Sequence, residues 1–114
     1  MIDWSKVKSL REEIGTESFD DVVDLFLEEV ETVVARLKAR PDPARFEQDL
    51  HFLKGSAWNL GFAEFGALCQ DGERLAARGG AARVDIAAIL DCYQRSKTDF
   101  LAGLAGAEPR NSAA

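Results

Sequence analysis

Residues 46–61 read FEQDLHFLKGSAWNLG. Phe46, Leu50, Leu53, Ala57 and Leu60 recur at spacings of four and three, the pattern of a helix with one face turned to a core. Gly61 follows the last of them and suits a left-handed helix end. Upstream, Asp42 can cap the helix, and Pro43 fits its first position, where no N–H is needed. With the apolar stripe set at zero and about 100° per residue, His51 points about 140° away, Trp58 about 120°, Lys54 about 80°, Gly55 about 180° and Phe52 about 240°. The chain's single histidine therefore lies on the flank or the outside of whatever this helix packs against.

The same periodicity extends in both directions, and no stretch alternates with period two. Trp4, Val7, Leu10 and Ile14 form one stripe, closed by Gly15. A long second segment starts near Ser18, where Ser18 and Asp21 match a capping box. It carries Phe19, Val22, Val23, Phe26, Val30, Val33, Val34 and Leu37, and stops at Pro41. After Gly61 a helix from about Ala63 to Arg78 turns Phe65, Leu68, Cys69, Leu75 and Ala76 inward and ends at Gly79-Gly80. The last begins near Asp85, packs Ile86, Ile89, Leu90, Tyr93, Phe100, Leu101 and Leu104, and runs into AGAEPRNSAA. The expected fold is all-α: an antiparallel four-helix bundle over residues 1–104 with a short additional N-terminal helix. A disordered tail is expected over 105–114, where the residues are small and polar.

The totals narrow the function. The chain has 114 residues, one domain's worth, and 46% of them are hydrophobic, enough for a core without disulfide or metal support. A formal charge of −6 disfavours a nucleic-acid partner, because phosphate backbones select basic surfaces. No apolar run approaches the roughly 18 residues that span a bilayer, and MIDWSKVK has no apolar signal core, so a cytoplasmic protein without a membrane partner is expected. Cys69 and Cys92 match no metal or redox spacing and read as small core residues.

Glycine inside a helix costs about 1 kcal/mol relative to alanine, so Gly55, one turn beyond His51, calls for a reason. The absent side chain leaves an open approach to the imidazole, and Lys54 adds positive charge beside it. This is a setting for an anionic group arriving at a nucleophile. If the joint at Gly61-Phe62 folds the flanking helices antiparallel, His51, eleven residues before Phe62, stands level with Glu73, eleven after it. Gly66 then stands level with Trp58. A carboxylate accepting the proton of one ring nitrogen would fix the tautomer and leave the other free to attack phosphorus.

These residues resemble the histidine-containing phosphotransfer (HPt) domain family. The likeness rests on the run HFLKGSAWNLG followed by LCQDGER: a histidine, a lysine at i+3, a glycine at i+4, a small residue at i+5 and a glycine at i+10. It extends over most of the chain as a short helix followed by four long ones. The resemblance implies that His51 is phosphorylated on Nε2 and exchanges the group with an aspartate of a response-regulator receiver domain, in a relay fed by a hybrid histidine kinase. Lys54 would help neutralise the phosphoryl oxygens, and Gly55 would leave room for the receiver's loops. At i+22 many free-standing members carry glutamine, whereas this chain has Glu73, as in the phosphotransfer domain of chemotaxis kinases. The transfer equilibrium is expected to differ accordingly.

No cofactor of the chain's own is expected. Around His51 only Glu73 offers a carboxylate, so the receiver would bring the magnesium. No glycine-rich phosphate loop followed by Lys-Ser or Lys-Thr occurs, so autonomous ATP-dependent kinase activity is not expected. Trp58 and Phe52 flank the site as candidate partner contacts. Ser56 reads as a packing residue. No second long apolar face suggests self-association, and a monomer is expected. The competing class is an interaction module of the same fold that binds receiver or kinase domains without carrying phosphate. A metal or haem bundle would need inward ligands on facing helices, which one outward histidine does not provide.

Overall fold

A computed structural model describes the backbone of residues 2–113 and the side chains of residues 2–105. Among the described residues it contains five α-helices: α1 Trp4–Ile14, α2 Thr16–Ala39, α3 Phe46–Leu60, α4 Ala63–Leu75 and α5 Ile86–Ala113. No strand occurs among the described residues; a single isolated bridge joins Ile2 to Phe62. The backbone helix of α5 continues to Ala113, within the stretch expected to form a disordered tail (105–114). The side chains of 106–114 lie outside the described residues, and so does that expectation.

Each joint has a local cause. Asp3 caps α1, its carboxylate accepting from the amides of Ser5 at 3.1 Å and Lys6 at 3.3 Å. Between α1 and α2 the sequence expectation needs correction. The second helix starts at Thr16 with Gly15 as its cap, not at Ser18 with a Ser18–Asp21 box. Gly15, at φ 86° and ψ 145°, redirects the chain in one residue. The Ser18 amide already donates to Gly15 O at 3.2 Å, so it lies within the first turn and the box has no end to cap. Before α3, Asp42 accepts from the Ala44 amide at 3.1 Å, and Pro43 opens a short 3₁₀ turn, Pro43–Arg45, that runs into the helix. After α4, a widened turn over Ala76–Gly80 is broken by Gly79 at φ 81°.

The core is one cluster drawn from every helix. Val7, Phe19, Val30, Leu37, Leu50, Leu53, Leu60, Phe65, Cys69, Cys92, Tyr93 and Phe100 are all buried. Phe62, Phe65, Tyr93 and Phe100 form a chain of ring contacts through its centre, with centroids 5.2 to 6.3 Å apart. Two expected core positions move. Leu101 is 43% exposed, and the α5 stripe runs instead through Tyr93, buried Ser96 and Phe100. Trp4 is 42% exposed and lies flat on Phe100, its ring resting where a side chain at Gly103 would be. Gly72 is buried in α4, and a Cβ there would stand 2.8 Å from Leu50 Cδ1.

Charged pairs clamp the helices to one another. Arg36 of α2 makes a two-pronged contact with Asp49 of α3, at 2.7 and 2.9 Å, and Asp49 is only 4% exposed. Glu31 of α2 accepts from Tyr93 Oη at 2.7 Å and pairs with Lys97, both on α5.

Candidate functional site

The site is built by the reversal between α3 and α4. Gly61 ends α3 in the left-handed conformation, φ 81° and ψ 17°, and the Phe62 amide donates back to Ala57 O at 2.8 Å. The joint is held from outside as well. Asp3 N donates to Gly61 O at 2.7 Å, and a Cβ on Gly61 would stand 2.6 Å from Asp3 O. With the joint fixed, α3 and α4 pack in opposite directions: Trp58 meets Gly66, Leu50 meets Gly72, and His51 meets Glu73.

His51 Nδ1 lies 2.8 Å from Glu73 Oε2. Burial by itself pushes the Glu73 carboxyl up, but Lys54 and His51 together outweigh it and hold the group below its ordinary range. As a carboxylate Glu73 can only accept, so Nδ1 carries the proton, and in the neutral form of the ring the lone pair is on Nε2. The imidazole is 69% exposed while the carboxylate is 19% exposed, so the ring projects from the helix face with its partner held against the bundle.

Lys54 has a second engagement that the helical wheel did not disclose. Its Nζ lies 2.8 Å from Glu73 Oε1, so one carboxylate serves the imidazole and the ammonium on its two oxygens. The Lys54 side chain is only 18% exposed and stands 5.7 Å from the Trp58 ring centroid. Trp58 lies across α4: a methyl on Gly66 would overlap its Nε1 and Cδ1. Phe52 is 39% exposed on the opposite flank of α3, and Ser56 is buried.

Gly55 is the telling position. A Cβ built there meets nothing within 4 Å. No neighbour in the fold demands a glycine, in contrast to Gly61, Gly66 and Gly72. The opening therefore faces outward, one turn from the imidazole.

The site is a helix face rather than a cavity. A groove of about 500 Å³ lies elsewhere, between the end of α2 and the start of α5, lined by Val34, Leu37, Pro41, Ile86 and Leu90 among others, none from α3 or α4. Among the described residues no three His, Cys, Asp or Glu side chains gather as a metal cluster, and no helix is long and apolar enough to cross a membrane. Burial pushes both cysteine thiols up, which leaves them poor nucleophiles.

Sequence reasoning singled out His51, Lys54, Glu73, Gly55, Trp58 and Phe52. The structure gathers the first three on one carboxylate, sets Gly55 and Trp58 within two turns, and leaves Phe52 apart. It adds the Asp49–Arg36 pair, which fixes α3 against α2. Its sequence signal was an acidic residue beside the core stripe, and its partner thirteen residues upstream had no motif to mark it.

A model of the family described as Hpt domain matches residues 21–99, a span that includes α3, α4 and every residue of the site. Comparison with curated proteins and with solved structures found no match. The family match covers well over half the chain, and its members perform histidine phosphotransfer in phosphorelays, working with receiver domains and histidine kinases. With its one imidazole exposed on a helix face inside the matched span, this chain belongs to the Hpt domain family.

Proposed function

We propose that His51 carries a phosphoryl group between the receiver domain of a hybrid histidine kinase and the receiver aspartate of a response regulator. The observation that carries this reading is the exposed imidazole whose Nδ1 is 2.8 Å from Glu73, leaving Nε2 outward. In the transfer step the Nε2 lone pair forms the N–P bond as the aspartyl P–O bond breaks, and the aspartate leaves as a carboxylate. The Nδ1 proton stays in place, so the phosphorylated ring is cationic and Glu73 balances it. Lys54 can turn from Glu73 to the phosphoryl oxygens, and Gly55 leaves the approach clear. Transfer of this kind needs positioning and charge neutralisation more than covalent help.

Glu73 is already committed to two partners, so the magnesium that such a step uses belongs to the receiver's acidic site. Helices α2 to α5 are read as the antiparallel four-helix bundle that presents α3, with α1 bracing the Gly61 joint. The protein is read as a monomeric intermediate whose turnover depends on its partners.

The test is transfer from a pre-phosphorylated receiver, with magnesium, to the wild-type chain and to His51→Gln. Acid-labile, base-stable label on the wild type alone is the expected result. Binding of phosphorylated receivers without label on the wild type would favour the non-phosphorylated interaction module instead.

A further inference from the structure

Trp58 is a large aromatic side chain, 41% exposed on the same side of α3 as Lys54, and phosphoryl transfer assigns it no chemistry. Its placement is nonetheless specific. The indole is seated where α4 has Gly66, a position at which any Cβ would collide with it. Its ring holds the Lys54 ammonium at 5.7 Å from the centroid, within the range of a cation–π contact. The same ammonium is on Glu73 Oε1, and the other oxygen of that carboxylate is on His51.

Lysine loses considerable rotamer freedom when ordered, and a lone lysine on a helix flank would extend into water. Here it is 18% exposed because two groups hold it, one by charge and one by the ring. When a phosphoryl group arrives at Nε2, its oxygens compete with Glu73 for the ammonium. The indole contact does not depend on Glu73 and persists through that exchange. We infer that Trp58, seated on Gly66, is a positioning residue that keeps the Lys54 ammonium beside the His51–Glu73 pair. This rests on the reading of His51 as the phosphoryl carrier.

The experiment uses phosphoramidate as donor, so no partner protein is needed. The Nε2–P bond forms as the P–N bond of phosphoramidate breaks, and the P–N bonding pair leaves on nitrogen as ammonia with its three hydrogens. The rate of phosphohistidine formation is followed by phosphorus NMR for wild type, Trp58→Leu, Lys54→Met and the double variant. Trp58→Leu is expected to slow the wild-type reaction about two- to fivefold, the worth of a partly exposed cation–π contact. It is expected to change nothing in the Lys54→Met background, because its effect runs through Lys54. Trp58→Phe, which keeps a ring face, should restore most of the rate.

Gly66→Ala, which displaces the indole without altering it, should match Trp58→Leu, with helicity by circular dichroism confirming that each variant folds. Equal slowing in both backgrounds, or no slowing by Trp58→Leu, overturns the inference while leaving His51 as the carrier. Absence of phosphohistidine from the wild type, with phosphoramidate and with a phosphorylated receiver alike, overturns both.

Discussion

Replacing Gly55 by alanine should separate what the fold needs from what the partner needs. The new Cβ meets nothing within 4 Å, so no contact is strained, and the backbone there is already helical. The helix then gains the ordinary difference between alanine and glycine, about 1 kcal/mol. For a domain of this size that raises Tm by roughly 4–6 °C. The methyl group stands on the outer face one turn from His51, where, under the proposed transfer, a receiver's loops have to reach Nε2. A loss of about 1.4 kcal/mol of transition-state stabilisation, or tenfold in rate, is expected in transfer from a phosphorylated receiver. Reaction with phosphoramidate, too small to touch residue 55, should be unchanged. Thermal unfolding and the two rates together make the assay. A more stable variant that still accepts phosphoryl from the receiver at the wild-type rate would refute the access argument, and a less stable one would show that Gly55 serves the fold.

Gly72→Ala should do the opposite, because its Cβ would press on Leu50 at 2.8 Å and on Ile89 and Val84 at 3.3 Å. A loss of about 1–2 kcal/mol in urea unfolding is expected, despite alanine's better helix propensity. Asp49→Ala strands the Arg36 guanidinium against α3; because Arg36 is 35% exposed, the cost should be about 2 kcal/mol, less than for a fully buried pair, again by urea unfolding. Acid should weaken the fold through Glu31 and Glu73. At Glu31 the Lys97 contact leads, and at Glu73 burial is outweighed by Lys54 and His51, so both folded carboxyls lie below their ordinary 4.5. Their stabilisation is complete above that value and is lost as pH falls through the lower folded values. The double variant Glu31→Gln/Glu73→Gln should therefore show a flatter stability profile below about pH 4.5, measured by urea midpoints across the acid range.

The parts of this account that the sequence disclosed are those governed by helical geometry. The outward angle of His51 follows from 3.6 residues per turn. Its level pairing with Glu73 follows from equal counts on either side of Phe62, where the chain reverses after Gly61. Asp42-Pro43 and Gly61 carry their end signals in their own chemistry. What stayed hidden depends on distant partners. Ser18 and Asp21 match a capping pattern, but Gly15 turns so sharply that the helix has already begun. Leu101 looks like a core residue until Ser96 is seen in the stripe between Tyr93 and Phe100. The Asp3–Gly61 clasp and the Asp49–Arg36 pair join residues that no local pattern relates. The sharing of Glu73 between His51 and Lys54 needed coordinates, because the sequence reading paired Glu73 with His51 alone and gave Lys54 only the incoming phosphoryl group.

The central claim concerns one nitrogen atom of the chain's one histidine, and this makes a direct measurement possible. With nitrogen-15 in its imidazole, the chain gives a single ring spin system before and after phosphorylation by a receiver. The account predicts a phosphorus coupling on Nε2 with Nδ1 still protonated. Coupling on Nδ1, or an unchanged ring in a chain that has taken up label, would contradict it.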